Sequence, residues 1–128
     1  MGYLAATCIL LGDFSKLPEK ELINLVLPDA SACFKYALHG IGGPFPLGEP
    51  AISTSSTPSL GYAQFVLHGP FPLGEPAIAE NPSNSIDYVK NVLHKPFPLG
   101  EPGIRKSEYL DQYNKILKKY GYSPIKEE

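Results

Sequence analysis

The chain has 128 residues, of which 14 are Pro and 12 are Gly, and its formal net charge is −2 at pH 7. This length supplies at most one domain of ordinary size. Gly shows no three-residue period, which excludes a collagen-like chain. Acidic residues outnumber Lys and Arg by 13 to 11, which excludes a basic nucleic-acid binder. A hydrophobic fraction of 43% argues against a disordered acidic chain, and the many Pro and Gly argue against long helices or a large sheet.

The N-terminal part, residues 1–30, is predicted to contain an apolar segment followed by a helix. Residues 3–11 form an apolar run that is too short to cross a membrane, since about 20 residues are needed, and no basic residue precedes it as in a signal peptide. Pro18 is predicted to open a helix that continues to Leu27. Cys8 and Cys33 form no CxxC pair and are expected to be buried, reduced thiols. We therefore expect an intracellular protein of a reducing compartment, in the cytoplasm or an organelle interior, without membrane insertion.

A seven-residue motif, PFPLGEP, occurs three times, at residues 44–50, 70–76 and 96–102, so that successive copies start 26 residues apart. We interpret residues 31–106 as a threefold repeat region. Each copy follows a Leu-His pair. When the copies are aligned on these pairs, the first one has three additional residues between its His and its motif. A contiguous string with diverging spacers favours a recognition motif. A structural unit that only stacks within the fold is the alternative.

Each motif is predicted to be a stiff, kinked segment. The residue before a proline avoids the helical region, so Phe45 and Glu49 are expected to be extended, and Phe45 to Gly48 are expected to form a turn. The Phe and Leu side chains then need an apolar surface, supplied by this protein's own helices or by a partner's groove. The predicted partner-binding residues are Pro44, Phe45, Pro46, Leu47, Gly48, Glu49, Pro50, Pro70, Phe71, Pro72, Leu73, Gly74, Glu75, Pro76, Pro96, Phe97, Pro98, Leu99, Gly100, Glu101 and Pro102.

Short helices are predicted before each motif and after the last one. The first covers residues 29–38 and ends at Gly40, the second covers residues 62–68, and the third covers residues 86–94 with Ser85 as its N-cap. Residues 107–128 form a C-terminal amphipathic helix and tail, in which Ser107 caps a helix over residues 108–120 and Gly121 ends it. This last helix packs within the fold or docks into a partner's groove.

The predicted fold is mainly short α-helices with extended Pro-rich segments, low regular structure and little or no β-sheet. Three 26-residue repeats would each combine a short helix with a PFPLGEP turn. The sequence contains no P-loop, GxGxxG, GxSxG or HExxH motif, so we expect neither an enzyme nor a bound cofactor.

The three histidines, His39, His68 and His94, are placed by the Leu-His alignment at one repeat position. Each is expected to interact with the free carbonyls at a helix C-terminus. The alternative is a self-contained pseudo-threefold domain whose histidines converge on a metal or on the metal of a tetrapyrrole.

The function expected from these features is that of a non-catalytic multivalent linker or scaffold subunit of a larger assembly. Three identical motifs would engage equivalent pockets on a homo-oligomeric, ring-shaped or lattice-forming protein partner. Tethering would then let three weak contacts hold tightly together.

Overall fold

The computed structural model describes Ile23, Asn24 and residues 26–127, so the predicted apolar segment 3–11, Cys8 and most of the helix expected after Pro18 lie outside the described residues. Within the described part, 69% of the residues are helical and none lies in a strand. The α-helices found there are α1 (Ala30–Lys35), α2 (Glu49–Ile52), α3 (Ser56–Gly61), α4 (Glu75–Ala79), α5 (Pro82–Tyr88), α6 (Glu101–Arg105) and α7 (Leu110–Lys119). Short helices separated by Pro-containing turns are as predicted, but the expectation of low regular structure is wrong. None of the described helices is both long and apolar enough to span a membrane.

Several prolines stand in the first turn of a helix, a position compatible with the high helix content. Pro82 is the first residue of α5, where its missing N–H costs no hydrogen bond. The side chain of Asn81 caps this helix by accepting the N–H of Asn84 at 3.2 Å. Thus α5 begins before the predicted cap, Ser85, which lies buried inside the helix. The second predicted helix likewise begins earlier, at Ser56 instead of residue 62.

The helices α1, α3 and α5 each continue without interruption into a π-helical turn. These turns are Tyr36–Ile41, Tyr62–Leu67 and Val89–Leu93. Each turn is followed by a residue in the left-handed region, namely Gly42, His68 and His94, with φ of 77°, 53° and 56°. The first helix therefore ends at Gly42 and not at Gly40. His39 lies three residues earlier, inside its π turn, so it does not occupy the position of the other two histidines.

Each motif folds into a 3₁₀ turn that continues as a short α-helix. In the first copy the turn is Pro46–Gly48, and the N–H of Gly48 donates to the carbonyl of Phe45 at 3.0 Å, which confirms the predicted turn. Glu49, however, is helical, with φ −59° and ψ −40°. The prediction of an extended Glu49 is wrong because Pro50 occupies the first turn of α2, where no N–H is needed.

The C-terminal helix α7 begins two residues later than predicted. Ser107 accepts the N–H of Tyr109 at 3.1 Å and so caps the turn that precedes the helix. The end at Gly121 is confirmed, since this residue has a φ of 87° and its N–H donates to the carbonyl of Lys118. This is the glycine-terminated ending common in helices.

The helices α1, α3 and α5 pack side by side, and the short motif helices pack against them. Three sets of apolar residues at 26-residue intervals fill the core between them. The members of these sets are Val26, Ile52, Ile78 and Ile104, then Phe45, Phe71 and Phe97, and then Tyr36, Tyr62 and Tyr88. All ten are at most 3% exposed, so the described chain forms its own core.

Candidate functional site

Each PFPLGEP motif has a buried half and an exposed half. In the middle copy Phe71 is 2% exposed and Gly74 is buried, whereas Leu73 is 54% exposed. The corresponding leucines of the other copies, Leu47 and Leu99, are 67% and 52% exposed. The motif prolines are exposed except Pro96, which is half-buried. Of the two surfaces considered for the apolar side chains, the protein's own helices therefore take the Phe, and the Leu remains at the surface.

The buried Phe of each motif packs against a Tyr of the helix that precedes it. The ring centroids of Tyr62 and Phe71 are 4.9 Å apart, at an interplanar angle of 60°. The same contact is made by Tyr36 with Phe45 at 5.1 Å and by Tyr88 with Phe97 at 5.2 Å. Tilted and edge-on aromatic pairs of this kind add to the stabilisation from burial.

The hydroxyl of a Tyr from the following helix ties each motif together. Tyr88 accepts the backbone N–H of Phe71 at 3.0 Å and donates to a carboxylate oxygen of Glu75 at 2.6 Å. The same pair of bonds is made by Tyr62 to Phe45 and Glu49, and by Tyr113 of α7 to Phe97 and Glu101. Since the Tyr88 ring also packs on Phe97, one side chain links two consecutive motifs.

The Gly of each motif is required by close packing. A Cβ atom on Gly74 would lie 2.6 Å from the Phe71 ring and 2.6 Å from the Oγ of Ser59. The φ of Gly74 is −91°, so the backbone conformation itself is open to any residue. The Ser59 hydroxyl donates to the carbonyl of Ile52 at 3.0 Å and fixes the motif helix before it.

Cys33 occupies the position that Ser59 and Ser85 occupy in the later helices. Its thiol donates to the carbonyl of Val26 at 3.1 Å, as the two hydroxyls donate to carbonyls of the motif helices. Burial raises the pKa of Cys33 to about 11, so the group stays a thiol at neutral pH. The expectation of a buried, reduced cysteine is confirmed for Cys33.

The site residues predicted from the sequence do not include the tyrosines, although a signal for them is present. Tyr36, Tyr62 and Tyr88 each lie eight residues before the first Pro of a motif. Counted from these tyrosines, the first copy carries no additional residues. The Leu-His alignment hid this regularity because His39 is not equivalent to the other histidines.

The three histidines are exposed and do not converge. Within residues 26–127 no group of three His, Cys, Asp or Glu side chains could hold a metal ion. His68 and His94 end π turns, and the His94 ring lies 5.0 Å from the ring of Tyr120. The three-histidine metal or tetrapyrrole alternative therefore receives no geometric support from the described residues.

No protein-family model matches this chain, and neither the curated proteins nor the solved structures contain a match to it. What the motifs do must therefore be inferred from their own geometry.

Replacing Tyr88 by Phe should lower the free energy of unfolding by about 1–3 kcal/mol. The change keeps the ring in place but leaves the Phe71 N–H and one Glu75 oxygen without their partner. Urea denaturation followed by far-UV circular dichroism measures this loss. Tyr122→Phe is the matched control, because Tyr122 is 41% exposed and its replacement should leave stability unchanged. Equal stabilities of the two variants would show that the hydroxyl bridge contributes nothing.

The bridges also predict loss of stability at alkaline pH. Burial, together with the hydrogen bond to Glu, raises the pKa of Tyr62, Tyr88 and Tyr113 above the ordinary value of 10.0. Because the folded pKa lies above the unfolded one, their contribution is complete below pH about 10 and declines as the pH rises further. We expect these three to ionise, seen by absorbance near 295 nm, only as the helical signal is lost. Ionisation of all eight tyrosines with an unchanged helical signal would contradict this prediction.

Proposed function

We propose that this chain is a non-catalytic multivalent linker or scaffold subunit, built as an array of three 26-residue repeats. Each repeat would consist of a helix that ends in a π turn and a PFPLGEP unit. Support for the array comes from the recurring contacts, in which Tyr62 and Tyr88 each pack on the motif that follows and bond the motif before it. Tyr113 makes the same bonds from α7, so α7 would close the array.

The observation that carries the docking function is the exposure of three equivalent leucines, Leu47, Leu73 and Leu99. Within the described residues the large hydrophobic side chains that stand exposed are these three with Ile41, Phe65 and Tyr122. The motif leucines thus make up half of that set, although leucine is normally among the more buried residue types.

The three leucines are held on adjacent, rigid supports. Each lies in a 3₁₀ turn whose Pro and buried Phe fix the backbone. The helix α2 of the first motif contacts the turn of the second motif, and α4 contacts the turn of the third. We define these leucines and the exposed motif prolines beside them as the leucine ridge. A preorganised ridge loses little conformational entropy on binding.

The ridge fits a partner that offers repeated equivalent pockets. Burying one exposed Leu stabilises a complex by roughly 1.5–3 kcal/mol, which gives weak binding by itself. Three such contacts on one rigid chain would act together through their effective concentration. The Phe and Glu of each motif are used within the chain, so their part in docking would be to hold the turn in place.

Stepwise replacement of the leucines by Ser tests this function. Pull-downs with wild type and with single, double and triple variants at Leu47, Leu73 and Leu99 should lose the same protein in steps of about tenfold. Phe65→Ser is the matched control, since Phe65 is 57% exposed but lies outside the motifs. A protein that binds the triple variant as well as wild type, or is lost equally with Phe65→Ser, would contradict docking through the ridge.

A further inference from the structure

The last described residues lie against α7, where the side chain of Asn114 binds the backbone of Ile125. The Asn114 amide nitrogen donates to the carbonyl of Ile125 at 3.0 Å, and its oxygen accepts the N–H of Ile125 at 2.8 Å. This is the pair of hydrogen bonds that one β-strand residue gives to its neighbour in the next strand. The Asn114 side chain therefore recognises the backbone of an extended residue, and these two bonds require no particular side chain on that residue.

Asn114 stands at a position that is apolar elsewhere in the chain. It directly follows Tyr113, and the residues that follow the other repeat tyrosines are Ala37, Ala63 and Val89, all 0% exposed. In α7 the polar amide at this position is covered by residues 122–127, which form no regular structure. The residue after the tyrosine is thus a buried apolar side chain in the three repeats, whereas in α7 it is an amide that hydrogen-bonds an extended peptide backbone.

The tail residues contribute two further contacts. The Ile125 side chain packs against the edge of the hydrophobic core. Pro124 lines a cleft of about 310 Å³ together with Asp111, Lys115 and Lys118. The neighbouring tail residues at 122, 123, 126 and 127 are exposed. The tail is therefore anchored at Ile125 and at Tyr122, whose N–H donates to the carbonyl of Leu117 at 2.8 Å. It lies beside a cleft in which lysines outnumber acidic side chains.

We propose that α7 carries a binding site for an extended peptide segment of a partner protein, and that residues 122–127 occupy it as an exchangeable strap. Asn114 forms two hydrogen bonds with the peptide backbone, and an aliphatic side chain of the peptide occupies the position of Ile125. Lys115 and Lys118, which line the cleft with Pro124, favour an acidic residue near that position of the peptide. This site shares no residue with the leucine ridge, and its test does not depend on the docking function proposed for the ridge.

The test uses the full chain with the strap released. In the Ile125→Asp variant, a labelled peptide of residues 122–128 should bind with 1:1 stoichiometry, and at least about tenfold more tightly than it binds wild type. Adding Asn114→Ala to this variant should weaken peptide binding by about tenfold or more. A peptide that itself carries Ile125→Asp is the control ligand. Far-UV circular dichroism verifies that the helices are intact.

A folded Ile125→Asp variant that does not bind the peptide would overturn the proposal, as would binding that survives Asn114→Ala. Hydrogen exchange of the Ile125 amide gives a second measurement that does not depend on the released variant. Asn114→Ala in the otherwise unchanged chain should speed this exchange about tenfold or more. Unchanged exchange would mean that Asn114 does not hold the strap.

Discussion

Replacing Phe71 by Ala should lower the free energy of unfolding by about 3–5 kcal/mol, whereas Leu73→Ala, two residues later in the same motif, should change it by less than about 0.5 kcal/mol. Phe71 is 2% exposed and its ring packs against Tyr62, at 4.9 Å between centroids. Gly74 approaches the same ring too closely to carry a side chain. Removing the ring therefore opens a cavity that its neighbours cannot readily fill.

The contrast between Phe71 and Leu73 separates the two roles of the motif, which are to stabilise the fold and to bind a partner. Urea denaturation of both variants, followed by far-UV circular dichroism, gives the two free energies directly. In the pull-down we expect Leu73→Ser to weaken partner binding without loss of stability. Equal stabilities of the Phe71 and Leu73 variants would contradict the division of the motif into a buried and an exposed half.

Local sequence rules predicted the features that depend on neighbouring residues. The turn that begins at Phe45 follows from Pro46 and Gly48 within the same four residues. The end of α7 at Gly121 follows from a glycine that adopts a positive φ. The absence of strands among the described residues agrees with the frequent prolines.

The features that were missed depend on residues far apart in the chain. Glu49 was predicted as a partner-binding residue, but it accepts the hydroxyl of Tyr62, 13 residues later in the next helix. No rule that considers neighbouring residues shows this partner. The glycines of the motifs were interpreted as turn residues, while Gly74 is also confined by the side chain of Ser59, 15 residues earlier.

The contacts within the motifs explain why the chain contains so many Pro and Gly residues. Twelve of the 26 Pro and Gly residues lie in the three motifs. There the second and third prolines of each motif lie at the beginning of a helical turn, and each glycine leaves room for a buried Phe ring. A Pro- and Gly-rich composition that is typical of poorly ordered chains is thus compatible with 69% helix in the described residues.

The removal of one complete repeat tests the proposed array most directly. Deleting residues 53–78 joins Ile52 to Ala79, which recreates the sequence found after Ile78 and keeps the spacing from each motif to the next tyrosine. Repeat arrays owe their stability to units and to the contacts between neighbours. We therefore expect this variant to unfold cooperatively, at a lower temperature than wild type, with the same helical signal per residue.

The control is a deletion half as long, of residues 66–78, which removes the second motif but keeps most of the helix before it. It leaves Tyr62 without the Phe71 ring and breaks the 26-residue register. Thermal unfolding followed by circular dichroism should show a cooperative transition for the longer deletion and none for the shorter one. Loss of the transition in both variants, or its retention in both, would contradict an array built from 26-residue units.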